Sequence, residues 1–568
     1  MAQDTRRKES ITQGGRRSCP MRTMRRLQSF LALALLPAAT LAQDALISFD
    51  ASVGATRTRG VVPTYQILDI GTLGGAGTAA NDLNDAGQIT GASGAGDSSH
   101  AFVYAHGEMV DLGTLGGSGS SGSALNESGE VTGSSETVEG LSHAFLYSNG
   151  KMLDLGSVGG GNSVGNDINN AGQVTGYSWK PEAGEYYAFL YSNGQTRDLG
   201  TLGDSYSTGL AINDAGEVAG YYQRQFESHA FLYRDGAMND IVPSGFSFIR
   251  SPLGQPVNAA GHVAGSYRPS GPNRAFLFRD GAAIDLGTLG GGALAGQVSD
   301  GFAINDADEV TGYSTTSTGE YHAFLWSQGA MQDLGTLGGD FSLGYAINSS
   351  GQVTGTSSTE SGPQYPFVYA GGRMVLLDIG ALGGYYGYGT DINSSGQVLG
   401  TYFKVVQNEP FEDEIHAFLA TPITLLFSQL LAKTEGVGPG RLLSDTVRAA
   451  AAYYAVPDLP PTCLVLRGFA HGVAAQAGQQ VAQQTADELI ADAEAIETAL
   501  GCRINSRRHW LTLGVSTTVQ RFANRHRENE VRVVELDGKR RLQQYRRLPQ
   551  GFSSECVWVD VAELRPRP

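Results

Sequence analysis

Between residues 65 and 420, short apolar stretches alternate with turns rich in Gly, Asn and Asp, and the same order returns roughly every 43 residues. Three phrases mark each return. Asp-Ile-Gly-Thr-Leu-Gly-Gly at Asp69 recurs in close variants at Asp111, Asp154, Asp198, Asp285, Asp333 and Asp378, with a degraded copy at Asp240. An apolar residue followed by Asn-x-x-Gly recurs at Asn84, Asn126, Asn169, Asn213, Asn258, Asn305, Asn348 and Asn393. His-Ala-Phe, or a near variant, centres on Phe102, Phe145, Phe189, Phe231, Phe276, Phe324, Phe367 and Phe418. Each unit reads as four strands: one ending at the Asn, one beginning Gln-Val-Thr-Gly, one built on His-Ala-Phe-Leu-Tyr and one on Met-x-Asp-Leu-Gly.

The turn residues agree with that order. Asn149-Gly150, Asn193-Gly194, Asp235-Gly236 and Asp280-Gly281 stand between the third and fourth strands, where a two-residue hairpin needs positive φ twice. Asn-x-x-Gly fits a type I turn closed by a left-handed residue, normally Gly; Asp308 is the exception. Four strands in some 40–45 residues is the size of a propeller blade. The array opens on a lone fourth strand, Tyr65 to Ile70, and closes on a lone third strand, His416 to Leu419. Pairing the two would complete a last blade and remove both open edges. The predicted fold is all-β: a closed β-propeller of eight four-stranded blades, or seven if the unit around Asp240 fails, followed by a small α-helical bundle.

From Leu425 the period changes. Residues 441–456 and 479–500 carry apolar residues at three- and four-residue intervals, with Thr485-Ala-Asp-Glu as an expected capping box and Pro457, Pro460 and Pro461 as breakers. The domain plan is an export signal at 1–42, a linker at 43–64, the propeller at 65–420, a helical module at 425–502, and a basic tail at 503–568 expected to be disordered.

Charge and ends place the chain outside the cytosol. Arg22, Arg25 and Arg26, the apolar run from Phe30 to Leu36, and Ala39-Thr-Leu-Ala42 form a signal peptide cleaved near Ala42, with Met21 or Met24 as alternative starts. The expected location is extracellular or periplasmic, and no apolar run is long enough to span a bilayer. Residues 43–502 hold 17 basic and 47 acidic residues, a net of −30, which argues against nucleic acid as a partner of the body. The tail reverses sign, with 14 basic and 7 acidic residues. Of four cysteines, Cys19 precedes the cleavage site and Cys556 lies in the tail, leaving Cys463 and Cys502 as the expected disulfide.

The three phrases together resemble the bacterial extracellular repeat family named for His-Ala-Phe, the HAF repeats, over residues 65–420. That resemblance implies secretion and a repeat scaffold and no defined activity. Gly438-Pro-Gly-Arg-Leu-Leu, Ala475-Gln-Ala-Gly and Gly501-Cys502 are similar to the helical FIMAH-type module of secreted bacterial proteins.

No catalytic or metal motif is present: there is no nucleophile elbow, His-Glu-x-x-His, phosphate loop or paired-cysteine site. His100, His143, His229, His322 and His416 open third strands in different units and read as structural hydrogen-bond partners, as do the fourth-strand aspartates. No cofactor is expected; calcium at Asn81-Asp-Leu-Asn-Asp-Ala-Gly87 is the one alternative, with oxygens dense but off the spacing of the twelve-residue loop. Positions that vary between units carry the candidate ligand site. On the second-to-third turns and the crossovers these are Trp179, Tyr186, Tyr187, Tyr222, Phe226, Tyr267 and Tyr386, with acids such as Glu182 and Glu185 among them. Ring faces beside acceptors suit a sugar or a protein. The expected function is a secreted, monomeric, non-enzymatic scaffold for an extracellular glycan or protein. A glycan-active hydrolase or lyase, and a structural envelope or matrix protein, are the alternatives.

Overall fold

The computed structural model describes residues 64–502, apart from 203–205, 225–226, 242–254, 269–270, 291–295, 406–412, 439 and 456–458, together with 531–536, 539–547 and 556–564. The stretches read as an export signal and, but for residue 64, as a linker lie outside the described residues.

Each repeat unit folds as an antiparallel sheet whose strands neighbour one another in chain order. The first sheet is Thr78–Leu83, Ile89–Ala95, Ser98–Ala105 and Glu108–Asp111. The second to fourth sheets span 116–156, 163–200 and 206–240, and the sixth and seventh span 299–333 and 338–376, each with four strands. A single parallel bridge, Tyr321 to Phe341, joins the sixth and seventh. The fifth sheet, after the degraded Asp240 phrase, has three strands between Val263 and Asp285, and among the described residues an isolated bridge from Val257 to Val263 stands for its first strand. The eighth is assembled from both ends of the array. Gly384–Ile392, Val398–Val405 and Asp413–Pro422 are completed by Tyr65–Asp69, in register Tyr65 to Pro422 and Asp69 to Phe418.

The repeated phrases explain why each sheet forms. All eight phrase-centre phenylalanines are buried, at 0–1% exposure. The Thr of Val-Thr-Gly donates to the carbonyl of that phenylalanine, as from Thr132 to Phe145 and Thr354 to Phe367, both at under 3 Å. The Gly that follows faces a bulge in the first strand. A Cβ on Gly176 would stand 1.9 Å from the carbonyl oxygen of Val164, so no larger residue fits. The hairpins adopt the expected geometry, with φ near 52° at Asn149 and 75° at Gly150, and Asp308 takes its left-handed conformation at φ 60°.

Neighbouring sheets are joined by the Asn turns. The side-chain amide of Asn84 donates to the carbonyl of Asn126 at 3.0 Å, and Asn126 donates to Asn169 at 3.1 Å. The step repeats through Asn213, Asn258, Asn305, Asn348 and Asn393, and Asn393 returns to Asn84 at 3.1 Å. Each Asn Oδ1 meanwhile accepts backbone N–H groups of its own turn, as Asn126 does from Ser128 and Glu130. These amides are buried and satisfied.

Four helices follow: α1 (Ile423–Thr434), α2 (Leu442–Ala455), α3 (Leu459–Ala474) and α4 (Gln483–Ala499). They share one apolar core that includes Phe427, Val447, Leu466 and Leu489. Pro460 and Pro461 sit in the first turn of α3, where a missing N–H costs nothing, rather than breaking the bundle. The expected capping box is corrected: α4 is capped at Ala482 without a side-chain bond, and Thr485 lies within the helix. Cys463 and Cys502 form the expected disulfide, Cα atoms 5.8 Å apart, tying α3 to the residue after α4. The module meets the last sheet where Ile423 N–H donates to Thr64.

The C-terminal segment is a separate unit. Val531–Leu536, Lys539–Arg547 and Cys556–Leu564 pair as a three-stranded antiparallel sheet, in place of the disorder expected there. No described helix is long and apolar enough to cross a membrane.

Candidate functional site

Every sheet has two ends. At one stand the Asn turns and the Asn-Gly hairpins; at the other, the second-to-third turns and the crossovers. The recurring histidines and aspartates meet at the crossover end, within one sheet. His100 Nδ1 lies 2.9 Å from Asp111, and the same pair recurs at His143–Asp154 and His322–Asp333. Looser versions are His229–Asp240 at 3.6 Å and His416–Asp69 at 3.2 Å. The same aspartates accept the N–H two residues on, as Asp111 does from Gly113. Hydrogen bonding to Asp333 holds His322 above the ordinary imidazole value. Burial pushes Asp333 upward, but the bond to His322, the Gly335 N–H and the His322 charge together outweigh it and hold the carboxyl below its usual range. These groups are structural partners, as the sequence implied.

That network claims several candidate ligand residues. Tyr222 is 1% exposed, stacks on His229 and donates to Asp240 at 2.9 Å. It is core, which corrects its assignment as a surface contact. Tyr267 donates to Asp285 at 3.1 Å. Tyr187 occupies the histidine place of the third sheet: Lys180 lies 3.9 Å over its ring and pairs with Asp198, and its hydroxyl donates to Glu185. Phe226 lies outside the described residues.

Trp179 and Tyr186 do come together. They face each other across the second and third strands, centroids 4.8 Å apart. Tyr186 also meets Tyr177 at 5.2 Å and reaches Tyr206 of the fourth sheet at 5.7 Å, which stacks on Tyr221. All five rings are partly exposed. Tyr386 belongs to a different row. It contacts Phe403 at 5.3 Å and Tyr388 at 6.4 Å; Tyr388 meets Tyr345 at 6.1 Å, and Tyr345 stacks on Phe302 at 5.9 Å. Phe302 continues to Tyr313 and Tyr313 to Tyr321. Tyr313, Tyr345 and Phe302 escaped notice in the sequence because they sit within strands, close to repeated positions, rather than in turns. The signal was there: where these units carry rings, the equivalent places hold Ala92, Ser134, Ser266 and Thr356, or Asn81, Ser123 and Asn166.

A cavity of 280 Å³ opens at the opposite end, among the Asn turns, lined by residues including Asp82, Asp85, Glu127, Asp167 and Asp391. Three of these aspartates share one repeat position and link sheets. Asp82 accepts from Leu83 and Leu125, Asp167 from Ile168 and Ile212, and Asp391 from Ile392 and Leu83. Burial pushes Asp167 up to about 7. Burial and the neighbouring Asp82 push Asp391 up to about 8. Asp82 and Asp391 are two desolvated carboxyls side by side, yet their oxygens already bind backbone N–H groups, a stapling role rather than acid–base chemistry. In the stretch considered for calcium, Asp82, Asn84 and Asp85 likewise accept backbone N–H groups. Among the described residues no three acids, histidines or cysteines converge on a metal position.

The fold defines a propeller-type scaffold of four-stranded antiparallel sheets. No family model and no curated protein matches the chain. Among solved structures it is similar to the β-propeller domain of the Trilobed protease from Pyrococcus furiosus, at 10% identity over 53% of this chain and 98% of that one, TM-score 0.35. It is similar to Porphyromonas gingivalis dipeptidyl peptidase 4, at 11% identity over 57% of this chain and 56% of that one, TM-score 0.36. TolB from Acinetobacter baumannii matches at 13% identity over 37% of this chain and 53% of that one, TM-score 0.27. The chain spans about half the length of the last two.

Proposed function

We propose that the eight sheets are the blades of one closed propeller of HAF repeats, exported from the cell, and that it binds an extracellular glycan or protein at the crossover end without catalysis. The Asn circuit and the pairing of Tyr65–Asp69 with the last unit support closure, since an open array would leave both unmet. The disulfide supports an oxidising compartment. The observation that carries the binding reading is the Trp179–Tyr186–Tyr206–Tyr221 row. Its rings are partly exposed, and units with small residues at the same places fold alike, so the rings are not needed to build a blade.

Replacing Trp179 and Tyr186 by Ala tests this on the full exported chain, read by glycan-array and protein-capture binding alongside thermal unfolding. Loss of binding with unfolding shifted by no more than an exposed substitution allows, about 0.5 kcal/mol, is expected. A loss nearer the 3–5 kcal/mol of a buried aromatic would make the rings core and defeat the assignment.

A further inference from the structure

The second row of rings, from Tyr321 to Phe403, has properties the first lacks. It runs without a gap through the sixth, seventh and eighth sheets, each ring within 6.5 Å of the next. Six of the seven rings stand on first and second strands, the strands nearest the Asn circuit, and Tyr321 opens the third strand of the sixth sheet at the crossover end. All but Phe302 are partly exposed, and Tyr321 is 42% exposed at one end. Five of the seven rings are tyrosines, whose hydroxyls give each apolar face a polar tip. Burial raises the phenols of Tyr345 and Tyr388, so they remain neutral donors and acceptors at any physiological pH.

We propose that this row is a track for an extended, uncharged glycan chain, with Tyr321, Tyr313, Tyr345, Tyr388 and Phe403 offering successive faces to successive sugar rings. This rests on the reading of the crossover end as a binding face and names its ligand class. Two features select that class. The body's net charge of −30 repels an anionic polysaccharide. A protein partner concentrates its energy in a compact central cluster, whereas rings strung across three blades match a ligand that repeats along its length.

The test is calorimetric titration of the full chain with uncharged linear oligosaccharides (cello-, xylo-, manno- and malto-series, two to six sugars) and with oligogalacturonate. At least one neutral series should bind, affinity should rise with chain length, and oligogalacturonate should not bind. Tyr345→Ala and Tyr321→Ala should each weaken the hexamer about ten-fold or more, Tyr321→Ala should spare the dimer, and Tyr345→Phe should stay within three-fold. The Phe variant and the exposed Tyr321 keep the test valid if Tyr345→Ala unfolds. Binding lost with Trp179→Ala but kept with Tyr321→Ala and Tyr345→Ala would overturn the track and leave the binding face intact. Affinity independent of chain length, preference for the anionic ligand, or binding only of a basic peptide or a second copy would overturn it too. No binding to any of these or to the arrays would defeat both readings.

Discussion

The side-chain amide of Asn393 donates to the carbonyl oxygen of Asn84 at 3.1 Å, although 309 positions separate them. The bond repeats in kind the one between Asn126 and Asn169, so the junction between the ends of the array is built like an interior one. Asn393→Ala should therefore cost about as much as Asn126→Ala, some 1–3 kcal/mol for a buried carbonyl left without its donor. Denaturant unfolding of both variants measures this. A cost at Asn126 with none at Asn393 would mean the ring is open in solution.

Much of this was legible in the sequence because the repeat states each turn eight times. Strand order, the Asn-Gly hairpins, the left-handed Asp308 and the pairing of Tyr65–Asp69 with the last unit all follow from local chemistry that one sequence displays. What the sequence hides is contact between units. Nothing in Trp179 or Tyr222 alone shows that one is partly exposed and the other sealed beneath His229 and Asp240. Nothing in Asp82 shows that it staples Leu125 of the next sheet. The helical module was legible only in part, because α3 begins on two prolines that read as a break.

One pair of exceptions explains itself only in space. His262 stands where other units carry Gln or Glu four residues after the Asn, and Asp308 stands where the next unit should have Gly. Their side chains meet at 2.7 Å, and Asp308 also accepts from Asn258. Burial works against Asp308, but the bond and charge of His262 together with bonds from Arg279 and Asn258 outweigh it and hold the carboxyl below the usual range. His262→Gln and Asp308→Gly should each destabilise, while the double variant, which restores the repeat, should recover most of the loss. The expected coupling is about 0.5–3 kcal/mol in a double-mutant cycle; additive losses would show that the two exceptions are independent.

The disulfide should matter to the helices and not to the sheets. Cys463 and Cys502 are separated by 39 positions, and closing a loop of that length contributes about 3–4 kcal/mol. In the Cys463→Ser, Cys502→Ser variant, far-UV loss of helix should move to lower denaturant while the β transition stays in place. A common shift of both transitions would mean that module and sheets unfold as one body.

Asp82 and Asp391 set a pH dependence where the first and eighth sheets meet. Asp391 is held near 8, first by burial and then by the charge of Asp82, which is itself raised by burial. Asp167, held up to about 7, adds in the same sense. A carboxyl whose folded value lies above its ordinary 3.8 favours the protonated fold. The stability it lends is complete below that value and is lost as pH rises through about 8. Melting temperature should therefore fall between pH 5 and pH 8.5. Ala124, Ala211, Ala303 and Ala346 fill the same position in other units without breaking the Asn circuit, so Asp391→Ala should fold. It should flatten the fall by at least one pKa unit's worth, about 1.4 kcal/mol. An unchanged slope in Asp391→Ala would place the pH dependence elsewhere, with His322 the next group to replace. Its value is raised by Asp333, so its stabilisation is present below 6.5 and lost above its own folded value. The two can be told apart because His322→Gln leaves the carboxyl pair untouched.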